Sequence, residues 1–174
     1  MKKVLVLLML VMTLTACSVE VEKDIRNEER YFDLVELIRG DQKFKEKSEY
    51  FDISTDMAKI DSGYRYYIFI DNPRIAIYDI EAIALVDGID YNKVVAPSVG
   101  VLEEVVYNMI PNQTNLDKNY VKGIVLSGDI DRPNIDVKMN VQWKDKTHHD
   151  IYSEYYSFNI QYVENVETVA EEQS

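Results

Sequence analysis

Between Ile135 and Trp143 the side chains alternate without interruption: Ile135, Val137, Met139, Val141 and Trp143 are apolar, and Asp136, Lys138, Asn140 and Gln142 between them are polar. A period of two admits one local structure, a strand with one face buried and the other turned to polar surroundings. A helix turns its side chains through a 3.6-residue period and would scatter these five around its circumference. The same alternation recurs upstream, where Tyr64, Tyr66, Ile68 and Ile70 interleave with Arg65, Tyr67, Phe69 and Asp71 until Asn72-Pro73 ends the run. Ile75 to Val86 predicts a second strand with Ala76, Tyr78, Ile80, Ala82, Ala84 and Val86 on one face, closed by an Asp87-Gly88 turn.

Further strands are expected at Val94-Val95 and within Val99–Ile110, with a helix as the alternative for Leu102–Met109, before Pro111-Asn112 breaks the pattern. Tyr120–Ser127 is strand-like, Gly128–Asn134 reads as a polar turn containing Pro133, and Lys144–Asp150 as a polar loop. Tyr152, Tyr156, Phe158, Ile160 and Tyr162 mark one face of the last strand. About seven short strands with turn signals between them, and no alternation of strand with helix, predict a mainly β chain folded as an antiparallel β-sandwich. Trp143, in a central strand, suits its core.

Ahead of Tyr50 the period is different. Asp24 to Arg39 predicts an amphipathic helix, with Ile25, Phe32, Val35 and Ile38 near helical spacing, Leu34 and Leu37 widening the stripe, and Gly40 as the stop. Gln42–Lys47 continues as a further turn of helix or as a loop. Glu28, Glu29, Arg30 and Asp33 occupy the opposite face, as on an ordinary solvated helix surface. The helical segment is therefore placed at 24–48 and the sandwich at 49–163.

The first residues are an address. Lys2 and Lys3 precede an apolar run from Val4 to Leu14, too short for a span that needs about 20 apolar residues. The sequence Leu14-Thr15-Ala16-Cys17 that follows resembles the bacterial lipobox, in which a small residue precedes a cysteine that is lipidated before cleavage. The resemblance implies a signal peptide at 1–16, lipidation at Cys17 and a tether over 17–23. The mature chain would then run for 158 residues with 17 basic and 31 acidic side chains, a net charge of −14. Two or more acyl chains suffice for stable anchoring, while so acidic a protein gains nothing from anionic headgroups. A short acidic tail, 164–174, closes the chain.

A second resemblance lies in the strand region. Ile83-Ala84-Leu85-Val86-Asp87-Gly88, after the Asn72-Pro73 strand end, is similar to the FxLYD-type immunoglobulin-like domains of bacterial lipoproteins. Those carry a strand of the form apolar-x-Leu-aromatic-Asp before a glycine turn, and a later turn that Ile110-Pro111-Asn112-Gln113-Thr114 resembles. The chain departs from the pattern at Ile83 and Val86, where aromatics are usual, and at Asn112, where glycine is usual. Spanning about 64–162, the resemblance implies an immunoglobulin-like sandwich serving as an extracytoplasmic binding or spacer module, with no catalytic residues to carry over.

Composition limits the chemistry. A hydrophobic fraction of 47% is too high for a disordered chain, and a net charge of −12 argues against a nucleic-acid partner. The single cysteine excludes an intrachain disulfide framework and a zinc site built on cysteines. The two histidines, His148 and His149, are adjacent, so on an extended segment they point apart. No nucleophile, base and orienter stand out as a set, and a non-catalytic protein without a cofactor is expected.

Asp129, Asp131, Asn134 and Asp136 concentrate oxygen ligands that calcium could use, though Asp and Asn are also what turns prefer. Asp87, Asp90 and Asn92 form a sparser set of the same kind. Thirteen tyrosines are the other distinctive feature, with Tyr64, Tyr66 and Tyr67 on one strand and Tyr152, Tyr155 and Tyr156 on another. Tyrosine suits binding surfaces and strands alike. The expectation is a lipid-anchored, extracytoplasmic, non-catalytic interaction or spacer module at the bacterial cell envelope, meeting the membrane through Cys17 and a protein or cell-wall glycan through its tyrosines. The alternatives are a small-ligand or calcium-binding lipoprotein, and a cell-wall enzyme or its regulator.

Overall fold

A computed structural model describes residues 26–103 and 105–164. The signal segment 1–16, Cys17, the tether 17–23, the helix's first residues Asp24 and Ile25, and the tail from residue 165 lie outside the described residues. The chain is mainly β, with one helix, α1, over 26–39. The strands are β1 (Asp52–Ile60), β2 (Gly63–Asp71), β3 (Ile77–Val86), β4 (Ser98–Val99), β5 (Tyr107–Met109), β6 (Gly123–Ile130), β7 (Asn134–Lys144) and β8 (Ile151–Gln161).

Every pairing between these strands is antiparallel, and they form two sheets. One has the order β1-β2-β6; the other has the order β4-β3-β7-β8, with β5 also on β3. The alternating side chains of β7 behave as their period requires: Ile135, Val137, Met139, Val141 and Trp143 are all buried. They meet Met57, Tyr66, Ile68, Ile70, Ile124 and Leu126 from the other sheet in one continuous core. Trp143 lies among aromatic rings, with Tyr50 at 5.3 Å, Phe51 at 5.6 Å and Tyr152 stacked at 5.7 Å between centroids.

The helix forms a third layer. Tyr31, Leu34, Val35 and Ile38 recur at i, i+3, i+4 and i+7 and pack on Ile83 and Leu85 of β3. This corrects the expected stripe: Phe32 and Leu37 are 40% and 44% exposed, and Tyr31 takes the inward place. At the helix end the Gly40 N–H donates to Glu36 O at 3.1 Å, and Gln42 Nε2 covers Leu37 O at 3.0 Å. The chain beyond is a loop rather than a continuing helix, and Lys45 bridges to β8 beside Tyr156.

β3 is thereby buried on both faces, with Ala82, Ala84 and Val86 toward the sheet-to-sheet core and Ile83 and Leu85 toward α1. Its expected single face fails at Asp79, whose φ of 47° marks a bulge between Tyr78 and Glu81. The bulge shifts the phase, so Ile77 and Ile80 are buried while Ala76 and Tyr78 are not.

Other boundaries also moved. Val94 and Val95 are 52% and 69% exposed in a non-strand segment, and 99–110 contributes only its two ends to pairing. β6 continues through Gly128 to Ile130, leaving only 131–133 as the turn. β1 pairs with β2 along its whole length, yet Met57 alone of its residues is fully buried, so its polar sequence carries little strand signal.

Truncations on the two sides of α1 test which face is inward. Ile38→Ala is expected to lower unfolding free energy by about 2–4 kcal/mol in urea titration, because it deletes buried methylenes and leaves a cavity. Leu37→Ala on the exposed side should stay within about 0.5 kcal/mol of the parent.

Candidate functional site

The segment 87–97, between β3 and β4, folds back beside the end of β6 and leaves a cleft of about 540 Å³. Two phenols hold this segment in place. Tyr91 turns inward and its hydroxyl accepts the Val86 N–H at 2.7 Å, while the hydroxyl of Tyr31, on α1, accepts the Ala96 N–H at 2.7 Å. Each satisfies a buried backbone donor that no ladder reaches. Burial raises the Tyr91 phenol above its usual range, against the opposing effect of the Val86 bond.

Tyr66 enters the cleft from β2. Its ring crosses to Gly128, its cross-strand partner on β6. A Cβ on residue 128 would lie 2.7 Å from the Tyr66 hydroxyl and 2.9 Å from Cζ, which is why glycine stands within this strand. Burial, then the neighbouring Tyr91 and Asp129, push the Tyr66 phenol well above its ordinary pKa. The charged groups at the rim are paired: Lys93 with Asp90 at 3.0 Å, and Arg65 with Asp129 through bonds of 2.6 and 2.9 Å.

The six singled-out tyrosines do not share a surface. Tyr66 and Tyr156 are core residues at 2% and 0% exposure. Tyr64 packs on Tyr162, Tyr67 stacks on Phe69, Tyr155 meets Phe44, and Tyr152 covers Trp143. β2 and β8 belong to different sheets, so their tyrosines are separated by the core rather than joined across a face. Tyr156 donates to Glu154, which also takes Lys45 and, at 3.3 Å, Ser48, stitching the 45–48 loop to β8.

The acidic residues are similarly engaged. Asp129 is held by Arg65, while Asn134 and Asp136 both accept from Asn159 Nδ2, at 2.6 and 2.9 Å. Asp131 sits in the turn near Arg132, at 3.9 Å. Among the described residues no three His, Cys, Asp or Glu side chains converge as metal ligands would. Asp90 closes an Asx-type turn by accepting from the Asn92 N–H at 3.2 Å, and Asp87 faces Lys138 at 4.0 Å.

The histidines lie in a turn rather than an extended segment, with a φ of 58° at His148. His148 Nδ1 lies 3.2 Å from Asp79 and its ring 5.0 Å from Tyr78, while the His149 backbone N–H reaches Thr147. Asp79 also accepts from Lys144 at 2.9 Å, so the bulge in β3 carries a half-buried ionic cluster. Burial works to raise the Asp79 carboxyl, but the hydrogen bonds from Lys144 and His148 outweigh it and hold the carboxyl below its usual range.

Neither the cleft nor this cluster carries a sequence motif. The residues of the cleft come from β2, β3, β6 and the 87–97 segment, and the sequence placed Gly128 in the turn after Ser127, so nothing in it marked the close approach to Tyr66. No protein-family model, curated protein or solved structure matches the chain.

Two measurements probe this region. Gly128→Ala should destabilise the protein by about 1–3 kcal/mol in urea titration, because the added methyl overlaps the Tyr66 phenol. The Asp79 cluster contributes stability that is complete at neutral pH, above the carboxyl's unfolded pKa, and is lost as pH falls through its depressed folded value. The stability difference between the parent and Asp79→Asn should therefore shrink as urea titrations move from pH 6 to below about 3.

Proposed function

We propose that the chain is a lipid-anchored, extracytoplasmic module of the bacterial cell envelope, with an immunoglobulin-like sandwich that binds or spaces rather than catalyses. The observation that carries the reading is strand order. A sheet β1-β2-β6 facing β4-β3-β7-β8 corresponds to the A-B-E and C′-C-F-G sheets of an immunoglobulin-like fold. The step from that fold to a binding role is an analogy between architectures. The buried tryptophan sits on β7, the F-equivalent strand, where antibody-type domains place it on strand C.

The lipobox-like Leu14-Thr15-Ala16-Cys17 supports the anchor. Nine residues, 17–25, precede the described fold, and a segment of that length spans at most about 30 Å. The domain would therefore work close to the membrane surface. Its acidity favours standing off anionic headgroups over lying on them.

Lipidation is tested directly. In a bacterial host fed an alkyne-bearing palmitate analogue, the parent chain should take up label and sediment with membranes. Cys17→Ala should take up none and leave the lipoprotein fraction, with no change in Tm, since Cys17 precedes the folded core. A Cys17→Ala chain that still carries label would remove the anchor from the reading.

A further inference from the structure

We propose that the cleft between β6 and the 87–97 segment is a binding site for a small, neutral amphiphile, whose apolar body fills the cleft and whose acceptor oxygen, a carbonyl or ether, takes a hydrogen bond from the Tyr66 hydroxyl. This does not depend on the lipid anchor, which lies outside the described fold. It goes beyond a spacer role by giving the module a ligand.

Three observations carry it. The first is an unspent donor. Tyr66 is only 2% exposed, yet its hydroxyl makes no hydrogen bond to any described residue. The hydroxyl is not sealed in the core, where Trp143 Nε1 is the one unpaired side-chain atom among the described residues, so the exposure it keeps is toward the cleft that Tyr66 lines. The hydroxyl end of the ring lies over Gly128, which itself lines the cleft, so a guest there can supply the missing partner. Tyr91 lines the same cleft, and its hydroxyl accepts from Val86 without donating to any described residue. Both phenols are protonated at neutral pH, as an ordinary tyrosine is, and burial only strengthens that preference. Each phenol that lines the cleft therefore has a hydrogen to give an acceptor.

The second is size and lining. A volume of about 540 Å³ lies within the range of small-molecule sites. Val86, Ile89, Val94, Val95, Ala96 and Pro97 give it apolar walls. Tyr31 holds the 87–97 segment at the Ala96 N–H, and Tyr91, within the segment, ties back to the Val86 N–H of β3, so that wall is preformed.

The third is charge. Asp90 and Lys93 neutralise each other at the rim, and Arg65 neutralises Asp129. The three charged residues that line the cleft, Asp90, Lys93 and Asp129, are thus all engaged, and a chain with a net charge of −12 repels anions at long range. A neutral guest fits all three.

The test uses the full chain extracted from membranes into detergent micelles, carrying ¹³C at the tyrosine ζ carbon and titrated with 4-phenylbutan-2-one, a neutral aryl ketone. The Tyr66 signal, identified by its loss in Tyr66→Phe, should shift saturably while those of Tyr152 and Tyr155, outside the cleft, stay fixed. Val94→Trp, at an exposed rim position, should abolish the shift with Tm unchanged; Val95→Trp serves if the first variant folds poorly. By saturation-transfer NMR, Tyr66→Phe should weaken the ketone about fivefold, the size of one net hydrogen bond. It should leave butylbenzene, which has no acceptor, unaffected. A Tyr66 signal that never moves, one that moves equally in the tryptophan variants, or equal ketone affinity in Tyr66→Phe would overturn the proposal.

Discussion

The double burial of β3 is the constraint on which the rest depends. One strand presents Ala82, Ala84 and Val86 to the second sheet and Ile83 and Leu85 to the helix. Fully burying side chains such as Ile83 and Leu85 contributes about 1.5–3 kcal/mol each, and α1 and the 87–101 region, with Tyr155 beside them, bury them. A sandwich alone would leave this face of the sheet wet. The helix is therefore a structural layer rather than an appendage, and the Arg30–Glu81 ion pair crosses the same contact. Burial raises the Glu81 carboxyl, and Arg30 opposes that rise.

The tyrosines show how one residue type serves several ends. Tyr31 and Tyr91 spend their hydroxyl oxygens on backbone N–H groups that no strand can satisfy. Tyr156 spends its hydrogen on Glu154. Those bonds fasten loops to the core and account for much of what first suggests a recognition surface. Tyr66 is the exception, as buried as the others but with no hydrogen-bond partner among the described residues, and so becomes more informative than any exposed ring.

Legibility followed the strength of the local pattern. β2, β7 and β8 could be read directly because their alternation matches a half-buried sheet. β1 could not, since an edge strand with one buried side chain looks like a polar loop. The helix was found but rotated wrongly, because Phe32 and Leu37 are apolar without being inward. The Asp79 bulge left no mark, since a left-handed aspartate in a strand depends on the Lys144 and His148 contacts that hold it. In the acidic set at 129–136, conspicuous in sequence, Asp129 is engaged by Arg65 and Asn134 and Asp136 by Asn159, while Asp131 stays exposed in the turn.

Sequence alone determined that the chain is mainly β with a helix ahead of it, because periods of two and of about 3.6 are local properties of the backbone. It also displayed the lipobox-like segment around Cys17, a linear signal that needs no fold to be read. Only the tertiary structure decided that β3 is covered on both faces, which phenols are spent and which is left, and that Tyr66, Gly128 and the 87–97 segment enclose one cleft. The physical reason is range. Hydrogen-bond satisfaction and cavity shape are set by groups that the chain brings together from more than 60 positions apart, as with Tyr66 and Gly128, and no local pattern records them.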